Sequence, residues 1–225
     1  MLVRIFGHAV STDLLTHWIG WNLFLAIIPV GLGYLMLAVV ERRGPKNMAA
    51  ASLAIVLIFL AWLAFVPNTC YLITEWKHFL DNVVSNDLYR DSVTGSAKLT
   101  VCLQALFYFF YSGAGVLCFV LALRPVERAL RHTKISFTAI AAPLFMLISL
   151  GVYLGRVVRL NSWDLVTRPG RVFNAVGHVF THRILIVVVV MFGLLLWGLY
   201  EALDIWMDGV SARWKQWRLD RAQRL

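Results

Sequence analysis

The chain reads as an all-α protein: a polytopic helical membrane bundle of about five transmembrane helices with two short interfacial helices. Three observations predict it. Hydrophobic residues make up 60% of the 225, against 15% charged, well above the roughly 45–50% apolar share of a soluble domain. Five runs reach or approach the ~20 apolar residues that a spanning helix needs: Trp18 to Val40, Ala49 to Val66, Leu99 to Leu123, Ser136 to Gly155 and Ile184 to Tyr200. Each run is continuous, without the alternation that barrel strands require. The runs leave no soluble stretch large enough for its own core, so residues 1–225 form a single integral membrane domain.

The first run is too long for a signal-peptide core. It ends in Glu41-Arg42-Arg43 without a small-residue cleavage pattern, so it is a retained span. The second stops at Pro67-Asn68, and a new short helix is expected over Thr69 to Asn82. On it Tyr71, Glu75, His78 and Asn82 share one face, while Leu72, Ile73, Trp76, Phe79 and Leu80 cover the other. That is the pattern of a helix lying at the membrane interface or re-entering it. From Val83 to Lys98 turn formers predict a surface loop.

The third run carries a polar and small-residue stripe of Gln104, Tyr108, Tyr111, Ser112 and Gly115. The fourth carries Gly151 and Gly155 as Gly-x-x-x-Gly. Both are packing signals, expected to join spans three and four. Beyond the turn Arg168-Pro169-Gly170, a second interfacial helix is expected. It sets Arg171, Asn174, His178 and His182 opposite Val172, Phe173, Val176, Val179 and Phe180. The tail mixes Trp206, Trp214 and Trp217 with five basic residues, as in segments anchored on a cytoplasmic leaflet.

The net charge of +9 comes from short loops and this tail, which fits anionic lipid headgroups rather than nucleic acid. Cys70, Cys102 and Cys118 form no Cys-x-x-Cys pair and read as apolar structural residues. With the N-terminus outside and the C-terminus cytoplasmic, twelve Lys and Arg fall inside and nine outside. Five of the nine are Arg156, Arg159, Arg168, Arg171 and Arg183, clustered against the charge rule. Charges at a membrane edge are costly to place, so this cluster marks a candidate site.

That topology sets Tyr71, Glu75 and His78 on the same membrane face as Arg156, Arg159, Asn161, Asp164, His178 and His182. The opposite face offers mostly loop charges. Continuation of the fourth helix past Gly155 would point Arg156 and Arg159 the same way, and guanidinium forks match phosphate and carboxylate geometry. The alternative is a structural network in which they pair with Glu75 or Asp164, because a buried arginine needs an anion in either case. Glu75 and His78 suit general acid and base, or, with Asp164 and His178, a metal set; Glu-x-x-His alone is a weak metal signal. No metal is assigned, and the residues name no cofactor.

Two stretches carry a resemblance. The run Pro-Asn-x-x-Tyr-x-x-Thr-Glu-x-x-His from Pro67 to His78, and Tyr153-Leu-Gly-Arg-x-x-Arg-x-Asn-Ser-Trp-Asp to Asp164, resemble signatures of a bacterial multi-pass membrane family known as domain of unknown function 1361. The family tends to carry proline at the position of Thr69 or Cys70, and aspartate at Glu75, which keeps a carboxylate there. The resemblance implies a bacterial plasma (inner) membrane location. It singles out Asn68, Tyr71, Glu75, His78, Arg156, Arg159, Asn161, Ser162, Trp163 and Asp164, and supplies no reaction. The expected function is binding or processing of an anionic phospholipid or lipid-linked substrate at the extracytoplasmic face. Arg156 and Arg159 would clamp the anion, Asn161 and Ser162 orient it, and Glu75, His78 or Asp164 move protons. The alternatives are a non-enzymatic scaffold or accessory subunit beside a membrane protein partner and, third, a small transporter.

Overall fold

The computed structural model describes residues 2–5, 8–42, 48–76, 79–80, 83, 95–133 and 136–222. A small antiparallel hairpin opens the chain, strand β1 (Leu2–Ile5) pairing with β2 (His8–Ser11) so that Val3 faces Val10. Helix α1 (Thr12–Arg42) follows directly. Among the described residues, five helices are long and apolar enough to cross a membrane, in the order expected from the five runs.

The second crossing departs from expectation in an informative way. Helix α2 (Met48–Phe65) and helix α3 (Pro67–Thr74) are separated only by Val66, which itself has helical dihedrals. Pro67 lacks an N–H and cannot close the ladder, so the helix bends there and continues. Side chains satisfy the carbonyls around the bend: Asn68 Nδ2 donates to the Phe65 carbonyl at 2.9 Å and Thr69 Oγ1 to that of Val66 at 2.8 Å. The segment expected to start at Thr69 as an interfacial helix therefore starts at Pro67 and completes the second crossing. Both of its faces are occupied. Leu72 and Trp76 meet helix α4 (Gly95–Arg131), and Pro67 and Tyr71 meet helix α5 (Phe137–Arg156).

Lipid tails are as apolar as leucine, so helix association here rests on close packing and interhelical hydrogen bonds. Gly115 lets α3 approach until a Cβ would sit 2.8 Å from the Thr69 carbonyl. A Cβ at Gly151 would collide with the Pro67 ring, and one at Gly155 would overlap the Tyr71 hydroxyl. The Gly-x-x-x-Gly face of the fourth crossing thus seats α3, not the third crossing, which corrects the expected seam. The stripe on α4 faces the same way: Ser112 Oγ accepts from Trp76 Nε1 at 3.0 Å.

At the opposite end of the bundle Trp62, Phe119, Phe145 and Tyr200 are fully buried, with Trp62 Nε1 donating to the Ala122 carbonyl at 3.1 Å. Past α5, a one-turn helix α6 (Asp164–Thr167) leads to α7 (Pro169–Thr181) and α8 (Arg183–Ala222). As expected, α7 is amphipathic: Val172 and Val179 turn inward, while Phe173 and Phe180 are 74% and 66% exposed beside them. Helix α8 stacks Trp197 on Phe145 and takes a hydrogen bond from Ser149 Oγ on its Val189 carbonyl at 2.7 Å. Its 40 residues span about 60 Å, twice the hydrocarbon thickness.

Candidate functional site

The bend at Pro67 and the end of α5 bring the two sequence motifs together. Glu75, one residue past α3, is 2% exposed, and its Oε1 lies 2.8 Å from Arg156 Nη1 at the last turn of α5. Asn68 Nδ2 also donates to Ser162 Oγ at 3.1 Å, tying the bend to the loop after α5. Tyr71 fills the notch at Gly155, beside this pair. On α4, Tyr108 and Tyr111 are buried at the same level, and Asn22 of α1 lies beside the Tyr111 hydroxyl.

Arg156 is used only in part. Its Nη1 serves Glu75, while its Nη2 is buried without a hydrogen-bond partner among the described residues. Arg159 differs from expectation. Helix α5 stops at Arg156, the chain reverses, and Arg159 has φ 61°, a left-handed conformation that costs a residue with a Cβ about 1–2 kcal/mol. The Leu160 N–H then reaches back to the Leu154 carbonyl at 3.0 Å, closing off the helix end. The two arginines do not share a helical face. Arg159 projects from the loop and is exposed.

Asp164 is buried but turned onto its own loop. Its Oδ2 accepts the Asn161 N–H at 2.8 Å, while the Asp164 N–H donates to the Asn161 carbonyl at 2.9 Å, a reciprocal cap at the start of α6. The Asn161 N–H, aided by nearby Arg168, holds the Asp164 carboxyl below the ordinary aspartate value. Asp164 forms no ion pair with Arg156 among the described residues; Glu75 is the acid that does. Asn161 and Trp163 are exposed on the same loop, Trp163 at 45%. His78 lies outside the described residues. His178 and His182 are exposed on α7 with ring centroids 4.0 Å apart, and His182 Nδ1 is 2.9 Å from the His178 carbonyl. Among the described residues no group of three His, Cys, Asp or Glu side chains could hold a metal ion.

A second polar cluster lies at the other end of the bundle, where only loop charges were expected. Arg124 of α4 pairs with both Asp204 and Asp208 of α8; Glu127 accepts from Tyr200 and pairs with Arg131 at 2.9 Å. The spacing was readable: Tyr200, Asp204 and Asp208 form an i, i+4 ladder facing Arg124, Glu127 and Arg131. All of these but Tyr200 fell outside the apolar runs, which end at Leu123 and Tyr200.

The fold and its polar ends define a multi-pass helical membrane protein with an ion pair at one end of the bundle and a charged network at the other. Residues 21–198 match the family described as a protein of unknown function, DUF1361, and the chain belongs to that family. No curated protein and no solved structure matches the chain significantly.

Proposed function

We propose that the chain binds the anionic headgroup of a membrane phospholipid or lipid-linked substrate where α3 meets the loop after α5, on the extracytoplasmic face by the charge count. The observation that carries the reading is Arg156: it is committed to Glu75 through one nitrogen, and its other terminal nitrogen is buried without a partner among the described residues. A phosphate oxygen is the acceptor that a guanidinium fork takes best. Arg159, exposed three residues on, supplies the second positive charge. Asn161, Ser162 and Trp163 line the rim, with Asn68 and Tyr71 beneath it. Glu75, His78 and Asp164 are the groups that would move protons if the bound lipid is processed; Glu75 carries most of that proposal, because Asp164 is occupied in capping its own loop.

The placement of the pair suits a lipid. Helix α5 covers 20 residues from Phe137 to Arg156, about 28 Å, so Arg156 sits close to one hydrocarbon boundary. Exposed Trp163, Phe173 and Phe180 on the adjoining segments would carry acyl chains beside it. The test is native mass spectrometry with anionic and zwitterionic phospholipids. Arg156→Ala with Arg159→Ala should lose retention of the anionic lipid selectively; equal retention by the variant and the wild type defeats the clamp.

A second reading is a scaffold or accessory subunit, favoured by the direct closure of Arg156 on Glu75 and by the close seating of α3 on α5. It expects lipid retention to ignore both arginines, and a membrane partner to co-purify with the wild type but not with variants of the exposed loop 157–163. A transporter ranks third.

A further inference from the structure

Helix α8 leaves the bundle in a way that its own surface contradicts. From Arg183 to Asp204 it rises about 32 Å, one hydrocarbon thickness, and Asp204 meets Arg124 at the far boundary. The helix then runs on without a break to Ala222, and every residue from Asp208 to Ala222 is exposed. Trp206, Val210, Trp214 and Trp217 lie within about 80° of arc, so this stretch carries an apolar stripe. Arg213 and Arg218 border the stripe, Arg221 falls within it and Lys215 lies on the opposite face; Arg218 and Arg221 lie over Trp214 and Trp217 at 5.7 and 5.0 Å. Extended straight, Trp214 and Trp217 stand about 15–20 Å beyond Asp204, past the depth where interfacial tryptophan belongs.

The stretch just before the stripe is built to bend. Gly209 sits inside the helix with nothing near its missing Cβ, so packing does not require a glycine there, although glycine weakens a helix by ~1 kcal/mol relative to alanine. Two residues on, Ser211 Oγ donates back to the Met207 carbonyl at 2.7 Å across Gly209, a bond that competes with the ladder and bends helices. One residue before Gly209, Asp208 is bound to Arg124, and the Asp208 side chain is 70% exposed.

We propose that residues 210–222 are an anionic-bilayer-binding segment that pivots at Gly209 to lay Trp214 and Trp217 on the membrane surface, while the ion pairs of Arg124 with Asp204 and Asp208 hold the helix up to the pivot in place. The partner chemistry follows from the complement: four basic side chains and two indoles match an anionic headgroup layer over an apolar interior. Both acids precede Gly209, so the bend leaves them on Arg124.

The test uses full-length protein in vesicles of zwitterionic phospholipid, with or without anionic phospholipid, and brominated acyl chains as quencher. The difference between wild type and Trp214→Phe with Trp217→Phe isolates the two distal indoles. Those indoles should be quenched in anionic vesicles, unquenched in zwitterionic ones, and released by high salt. Gly209→Ala should move the transition to a higher anionic fraction. Arg218→Ala with Arg221→Ala should weaken surface affinity about thirtyfold, at about fivefold per basic side chain. Quenching that ignores lipid charge, as contact with a second copy would give, overturns the proposal; so does a Gly209→Ala variant that behaves as wild type.

Discussion

Removing Arg156 should damage the protein far more than neutralising its partner, although both changes break one ion pair. Glu75 is 2% exposed and Arg156 29% exposed. Arg156→Ala takes the cationic partner away from a buried carboxylate, which costs about 3–5 kcal/mol for a buried pair. Glu75→Gln leaves a guanidinium that is already partly hydrated, and the amide carbonyl still accepts from Nη1. The loss is then one charge-assisted hydrogen bond, about 1.5–3 kcal/mol at most. For a chain of this size each kcal/mol moves the unfolding midpoint by about 2–4 °C, so Arg156→Ala should lower it by about 6–20 °C. Adding Glu75→Gln to Arg156→Ala should recover most of the loss, because the buried charge is gone. Thermal unfolding of the four proteins in one detergent gives the cycle. A single-variant loss for Arg156→Ala below about 1 kcal/mol, the range of solvent-exposed pairs, would refute the burial argument. So would a double variant no better than Arg156→Ala alone.

Three further outcomes follow from the geometry. Gly155→Ala should destabilise the bundle by about 1–3 kcal/mol through overpacking on Tyr71, and Tyr71→Phe, which removes the overlapped hydroxyl, should recover part of that loss in the same unfolding assay. Arg159→Gly should keep or raise the unfolding midpoint, since glycine adopts the left-handed backbone freely, while anionic lipid retention falls; loss of stability instead would make Arg159 a packing residue. Asp164 has a folded pKa below the ordinary 3.8, so its carboxylate contributes stability that is fully present above that value and lost as pH falls through the folded pKa. Asp164→Asn should flatten this acid limb below about pH 4, read from unfolding midpoints across an acid titration.

The five crossings were legible because a hydrophobic run of spanning length has few other uses, and their boundaries agree closely with α1, α2, α4, α5 and the first half of α8. The convergence of Glu75 with Arg156 was legible too, from the cost of an arginine at a membrane edge. Which acid would answer it was not: Glu75 and Asp164 are equivalent by residue type, and only the reciprocal cap with Asn161 removes Asp164 from the choice. The shared direction of Arg156 and Arg159 assumed a helix that continues, and no composition signal announces the left-handed turn closed by the Leu160 N–H. Gly151 and Gly155 announced that some helix comes close. They could not say that the visitor is α3, because small residues record distance and not identity. The Pro67 break was read as an end when it is a bend, at which the side chains of Asn68 and Thr69 bond the Phe65 and Val66 carbonyls.

Asn68 grips the Phe65 carbonyl and Ser162 Oγ with the same amide nitrogen, which makes the angle of the second crossing and the position of the loop after α5 one mechanical variable. Losing that amide would release the bend and the loop together. The loop and the middle of the second crossing are thereby joined through a single carboxamide.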